Sequence, residues 1–386
     1  MNRKLFKALA LIAALIVCLA VATAGVAAGT SVTIPVHLIM DNSDSVQIPT
    51  IAITLTVEPV TGSTPTGSFP ISTGITTGIT ATNLDNWSAT ATSASGTVAF
   101  SSSSSTTEGA SGNAGGSDAK KFATVEATLN FGSVSFPEVG VYRYKITESS
   151  ASLPLGVALD GIPTRYLDIY VTRANEGAGE LQIESFVMLT EAVDVPWGEG
   201  AGEGAGIGTG GTYGTKNGEF KNVLTSYDLT LSKTVSGNQG SRTEYFKFTV
   251  TITNPTTGTY TVDKTNGAGN GTTGNPQTIT AGAPTDFYLK HGESIVIKDL
   301  PAGATYTISE EKKNYEASYK IGENGTPVTS NATGAQTLNA DTDVTFTNTL
   351  NGTIPTGVLL TIAPFAVLML VGLLGVLVFM RKKRAE

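Results

Sequence analysis

Across 386 residues the chain has a single cysteine, Cys18, and only two histidines, His37 and His291. Cys18 sits within an amino-terminal apolar stretch and follows Val17, where a lipid-modified cysteine would want a small neighbour. Removal of that stretch leaves no thiol, which excludes disulfides, thiolate metal sites and cysteine nucleophiles. The two histidines fall in different halves, so they form no shared catalytic or metal centre. Charge is sparse as well: charged residues make up 15% of the chain, the net charge is −8, and there is no basic run before the carboxyl terminus. This argues against nucleic acid as a partner. No metal and no cofactor are expected.

Motifs of enzymes are thin. Glu310 and Glu311 are adjacent on an expected strand, where side chains point to opposite faces, so they cannot flank one glycosidic bond. Residues 198–218 hold several Gly-x-Gly spacings but lack the Gly-Lys-Ser/Thr ending of a phosphate loop and open no helix. Trp87 and Trp197, read as loop residues, are isolated aromatics, a weak signal for sugar stacking.

The two ends of the chain read as targeting signals. Arg3, Lys4 and Lys7 precede an apolar run from Ala8 to about Val21 and then small residues, which predicts a secretory signal peptide over residues 1–28 cleaved after Ala28. At the other end Ile354-Pro355-Thr356-Gly357 precede an uncharged run from Val358 to Met380 and the basic Arg381-Lys382-Lys383-Arg384. As a helix the run would rise roughly 34 Å, enough to cross a bilayer, with its basic end cytoplasmic.

Between the ends, short alternating runs dominate. Ile51/Ile53/Leu55/Val57, Val125/Ala127/Leu129/Phe131, Leu167/Ile169/Val171 and Phe246/Phe248/Val250/Ile252 each repeat with period two, as strands that bury one face do. The expectation is an all-β chain of two tandem Ig-like β-sandwich domains, residues 29–222 and 223–350, followed by a sorting segment, 351–386. Two stretches interrupt the strands: residues 87–118, rich in Ser, Thr, Ala and Gly, and the glycine-rich residues 198–218. Both are expected to be loops.

Strand parity also picks out polar residues. Lys233 shares the apolar side of Leu229, Leu231 and Val235; Glu310 that of Tyr306 and Ile308; Asn348 that of Val344 and Phe346. All three should point into the core of the second domain. An unpaired charge buried there is costly, which leaves two readings: a buried ion pair of Lys233 and Glu310 or strand-end residues turned to solvent, or a reactive site.

These residues carry a resemblance. The runs Phe220-Lys221-Asn222, Leu229-Thr230-Leu231-Ser232-Lys233-Thr234-Val235-Ser236-Gly237, Tyr142-Arg143-Tyr144-Lys145-Ile146-Thr147-Glu148, Tyr306-Thr307-Ile308-Ser309-Glu310 and Thr345-Phe346-Thr347-Asn348 resemble those of streptococcal-type backbone pilins with isopeptide-linkage domains. The terminal Ile-Pro-Thr-Gly, span and basic tail resemble a Gram-positive cell-wall sorting signal. The resemblance implies a secreted, non-enzymatic pilus subunit that is membrane-anchored only until a sortase cleaves between Thr356 and Gly357 and joins Thr356 to a neighbouring subunit or to peptidoglycan. It implies an isopeptide bond between Lys233 and Asn348 with Glu310 as catalyst. It also implies an inter-subunit lysine, for which Lys216 stands nearest the family's place and Lys221 is the runner-up. The first domain departs from the pattern. Glu148 and Asn222 are in place, but the lysine's position falls around Val36 to Leu38, and His37 beside it has the wrong parity. No isopeptide bond is expected there. A monomeric wall-anchored adhesin is the alternative reading, since it uses Thr356 once and needs no inter-subunit lysine.

Overall fold

A computed structural model describes residues 29–40, 46–62, 71–108, 121–174, 179–192, 216–265, 275–352 and 356–383. The predicted leader with Cys18, most of the glycine-rich segment, Trp197, Ile354 and Pro355 lie outside the described residues.

Residues 31–224 build two sheets of six and seven strands among the described residues. The strand Ser31–Met40 lies inside the first sheet, antiparallel to Lys121–Asn130 and parallel to Phe220–Leu224. The second sheet is centred on Ile51–Pro59, Gly140–Ser149 and Thr164–Arg173. Period-two alternation decides which side chains enter the core: Ile34, Val36, Leu38 and Met40 from one sheet, and Ile53, Leu55, Val57, Tyr142, Tyr144 and Ile146 from the other, are buried.

The segment expected to be a loop from residue 87 onward contains strands, Asp85–Ala89, Ala94–Phe100 and Thr106–Glu108. Its small polar residues conceal an alternation in which Ala94, Val98 and Phe100 are buried. Gly96 completes that face for a steric reason, since a Cβ there would come within 2.9 Å of the Trp87 ring. Trp87 is therefore a strand residue packed across Gly96, and its indole N–H donates to the Ile79 carbonyl at 3.1 Å. It is not a loop aromatic free to stack on a sugar.

The second unit repeats the plan. The strand Ser226–Ser236 runs parallel to Thr342–Thr349 in a six-stranded sheet, and a four-stranded sheet contains Phe246–Asn254 and Thr305–Glu310. Its core holds Leu229, Leu231, Phe246, Phe248, Tyr306, Ile308, Val344 and Phe346. In both units the first strand pairs in parallel with the last. A tandem all-β architecture follows, with each first and last strand held as neighbours.

A single helix among the described residues, Thr356–Lys383, closes the chain. Its window Pro364–Arg381 has a mean hydropathy of 2.2 and is long and apolar enough to cross a membrane.

Candidate functional site

The strand register places the polar residues of the second unit. Lys233 lies opposite Phe346, and Val235 opposite Asn348, so lysine and asparagine share the inner face of adjacent parallel strands. Glu310 ends the strand Thr305–Glu310 in the facing sheet, on the parity of the buried Tyr306 and Ile308. Lys233, Glu310 and Asn348 are only 1%, 2% and 2% exposed. The strand-end alternative, with these groups turned to solvent, does not describe them.

Lys233 Nζ stands 2.7 Å from Glu310 Oε1, and Asn348 Nδ2 donates to that same oxygen at 2.8 Å. The lysine nitrogen lies over the Phe246 ring, 4.3 Å from its centroid, and 5.8 Å from that of Phe248. Despite its closeness to Glu310, Lys233 Nζ does not meet hydrogen-bond geometry. Glu310 Oε2 and Asn348 Oδ1 also have no partner. Each such oxygen typically costs about 1–3 kcal/mol when buried, so two of them beside a buried ion pair mark a site rather than ordinary packing.

Burial sets the proton inventory. It lowers the Lys233 amine to a pKa of about 8, with the Glu310 carboxylate opposing the shift. It raises the Glu310 carboxyl, with Lys233 and the Asn348 amide opposing. Both shifts favour the uncharged forms: a nucleophilic amine, and an acid that can donate a hydrogen bond. A cleft of about 210 Å³ opens onto Glu310 and Asn348, with Lys312, Lys313, Tyr315 and Asn331 on its walls.

In the first unit the same frame holds different residues. Asn222 lies opposite Leu38 as Asn348 lies opposite Val235, so the counterpart of Lys233 is Val36, facing Phe220 as Lys233 faces Phe346. Val36 is fully buried. His37 points to the other side of the sheet, its Nδ1 2.8 Å from Thr124 Oγ1 and its Nε2 3.1 Å from Glu219 Oε2.

Glu148 and Asn222 are both buried, and each of their polar atoms is engaged. The Asp160 backbone N–H donates to Glu148 Oε1 at 2.9 Å and to Asn222 Oδ1 at 3.2 Å. Asn222 Nδ2 donates to the His37 carbonyl at 3.2 Å and to Glu148 Oε2 at 3.3 Å. Burial pushes the Glu148 carboxyl up to about 7, and the hydrogen bonds from Asp160 and Asn222 work against that.

Arg165 completes this network, and the sequence reading did not single it out. It is buried, its guanidinium pairs with Asp160 Oδ2 at 2.8 Å, donates to the Glu219 carbonyl at 2.7 Å and lies 4.7 Å from the Phe220 ring centroid. The signal was present: Arg165 extends the parity of Leu167, Ile169 and Val171 by one step.

Lys216 is exposed and makes an isolated antiparallel bridge to Leu189, so it sits at a strand margin rather than in free loop. Lys221 lies within the strand Phe220–Leu224, its amine 2.9 Å from Glu219 Oε1. Thr356 and Gly357 begin the terminal helix. No cluster of metal-ligating side chains occurs among the described residues.

The chain is similar to known proteins over different spans. A family model described as the Spy0128-like isopeptide containing domain matches residues 74–205, a span that contains Glu148 but neither Val36 nor Asn222. A second model, described as a domain of unknown function, matches residues 227–350 and so contains Lys233, Glu310 and Asn348. A Streptococcus pyogenes serotype M1 protein named Pilin is 30% identical over 282 residues, covering 68% of this chain and 73% of the relative. The crystal structure of the major pilin from Streptococcus pyogenes superposes with a TM-score of 0.55 at 24% identity, over 84% of this chain and 99% of that one. The major pilin T3.2 from the same species does so with a TM-score of 0.50 at 23% identity, with 84% and 99% coverage. The solved structures fix the fold and the 30% identical relative fixes the kinship: the chain belongs to the pilin family, whose members are structural proteins rather than enzymes.

Proposed function

We propose that this chain is the repeating subunit of a covalent surface pilus, with its second domain locked by an isopeptide bond between Lys233 and Asn348. The observation that carries the bond is the buried pair of Lys233 Nζ with Glu310 Oε1 beside two oxygens without hydrogen-bond partners, Glu310 Oε2 and Asn348 Oδ1. Lys233 Nζ is the nucleophile, Glu310 the catalyst and Asn348 Oδ1 the oxygen on which charge would develop.

The chemistry needs nothing from outside. Glu310 takes a proton from the Lys233 ammonium, which gives a neutral amine and a neutral acid. Lys233 Nζ then attacks Asn348 Cγ, forming the new C–N bond, while charge gathers on Oδ1. Turning the Asn348 amide brings Oδ1 to the Glu310 hydroxyl, which stabilises that charge. Glu310 relays a second Nζ proton to Nδ2, the Cγ–Nδ2 bond breaks, and ammonia leaves by way of the cleft. The products are one amide, one ammonia and a protonated Glu310. The aromatic rings of Phe246 and Phe248 keep water away from the amine.

The test is the intact mass of the folded protein. The expected mass is lower than the sequence mass by one ammonia, with a digest peptide joining Lys233 to Asn348, and Glu310→Ala restores the full mass. An unmodified mass for the wild type overturns the bond.

Assembly would use the carboxyl terminus. A sortase cleaves between Thr356 and Gly357 and transfers the Thr356 acyl group to Lys216 of the next subunit; the exposure of Lys216 supports this choice over the ion-paired Lys221. The terminal helix then serves as a membrane anchor only before sorting. A denaturing blot of cell-wall extract should give a ladder that Lys216→Arg collapses to one band. A single wall-released band from the wild type would instead indicate a monomeric adhesin attached to peptidoglycan.

A further inference from the structure

The chain does not run freely from the second unit to the sorting motif. After the last strand, residues 350–352 are held against the turn that follows the first strand. The Leu350 N–H donates to the Ser236 carbonyl at 3.1 Å, and the Gln239 N–H to the Leu350 carbonyl at 3.0 Å. Asn238 then grips Gly352 at both backbone groups: its Oδ1 accepts from the Gly352 N–H at 2.8 Å, and its Nδ2 donates to the Gly352 carbonyl at 3.1 Å. The turn is shaped for this approach. Gly237 has φ +88, and a Cβ there would lie 2.3 Å from the Leu350 carbonyl oxygen, so only glycine fits.

We propose that Asn238 and this turn form a clasp that fixes the tail at Gly352 and thereby limits how far the Thr356–Gly357 bond reaches from the folded domain. The proposal rests on the reading of Thr356 as the sortase site. Thr356 is four residues beyond Gly352, so at most about 14 Å of extended chain separates them. A transpeptidase that binds its motif as an extended segment must work within that distance of the folded surface. Loss of the Asn238 side chain frees Asn351 and Gly352 while the backbone bonds of Leu350 remain, which adds two residues, about 7 Å of reach. Asn238 is thus a positioning residue: it touches no reacting atom, but it decides where the reacting bond can be offered. In the assembled fibre the same grip leaves a short junction between subunits.

The experiment uses the full chain in detergent micelles, a sortase that accepts the Ile-Pro-Thr-Gly motif, and hydroxylamine as the amine acceptor. Asn238 is exposed on a turn, and an unchanged crosslinked mass verifies that Asn238→Ala leaves the domain folded. The variant should show faster hydrogen exchange at the Gly352 amide. Its kcat/KM for cleavage at Thr356 should rise about three- to tenfold, the restraint expected of one or two net hydrogen bonds, through KM rather than kcat. Inserting Gly-Ser-Gly-Ser after Gly352 in the unaltered chain should give the same rise, and adding Asn238→Ala to that insertion should change nothing further. Equal or slower cleavage of Asn238→Ala, or unchanged exchange at Gly352, overturns the clasp. If none of these chains, the insertion included, is cleaved at Thr356, the sorting reading itself fails, and the clasp's proposed role with it.

Discussion

The two units of this chain place a glutamate and an asparagine in equivalent inner positions, yet one unit satisfies them and the other does not. In the first, the Asp160 N–H and the His37 carbonyl engage Glu148 and Asn222, and a valine occupies the remaining place. In the second, a lysine takes that place, ion-paired to Glu310 Oε1, and two buried oxygens are left without hydrogen-bond partners. A core can settle a pair of buried polar groups either by hydrogen-bonding them to the backbone or by converting them into a covalent bond. On the reading proposed for the second unit, the route turns on a single position, Val36 or Lys233.

The largest effect should come from removing the chemistry of the second unit. Lys233→Ala is expected to retain the ammonia in the intact mass and to lower the unfolding free energy of that unit by about 4–5 kcal/mol, the loop-closure value for a crosslink spanning on the order of 100 residues. Glu310→Ala should lose the bond while keeping the lysine. Chemical denaturation of each variant, read alongside its mass, checks both. A variant that lacks the crosslink yet unfolds at the wild-type denaturant concentration would show that the bond adds nothing to equilibrium stability.

A sharper test of the comparison is Val36→Lys. The shared register sets the introduced amine against Glu148 and Asn222 as Lys233 meets Glu310 and Asn348. The intact mass should then fall by a second ammonia, with a digest peptide joining position 36 to Asn222. Failure to crosslink, with the first unit destabilised by its buried amine, would mean that the hydrogen bonds from Asp160 hold Asn222 too firmly to react.

Much of this was legible in the sequence because strand parity is a strict rule. Lys233, Glu310 and Asn348 stand in step with apolar neighbours that are themselves unambiguous, so their burial follows once the strands are recognised. The same rule, carried one step further back from Leu167, reaches Arg165. What parity could not supply is the network around Glu148, because its central donor is the backbone N–H of Asp160, and a backbone group leaves no trace in residue identity. The strand Ala94–Phe100 was hidden for a different reason. Its inner face is made from Ala94, Gly96 and Val98, and glycine on that face is explained only by the Trp87 ring that fills the space above it. The lysine's missing counterpart could be bracketed from sequence to three residues, but only the pairing of Leu38 with Asn222 singles out Val36.

The smallest predicted effect is a pH dependence in the first unit. Glu148 has its carboxyl raised from the ordinary 4.5 to about 7, chiefly by burial. Between these values the folded first unit holds a proton that the unfolded chain has released, so its stability falls as pH rises through this window and levels off above about 7. The loss should be about 1–3 kcal/mol, since a tenfold change in proton affinity corresponds to about 1.4 kcal/mol and the hydrogen bonds to the carboxylate offset part of the burial. Glu148→Gln, which keeps the shape and cannot titrate, should flatten the first unit's stability between pH 5 and about 7.5. In the second unit burial raises the Glu310 carboxyl in the same direction, so that unit should keep its own pH dependence when Glu148 is replaced. A first-unit profile that Glu148→Gln leaves unflattened would place the titrating group elsewhere and remove Glu148 as the cause.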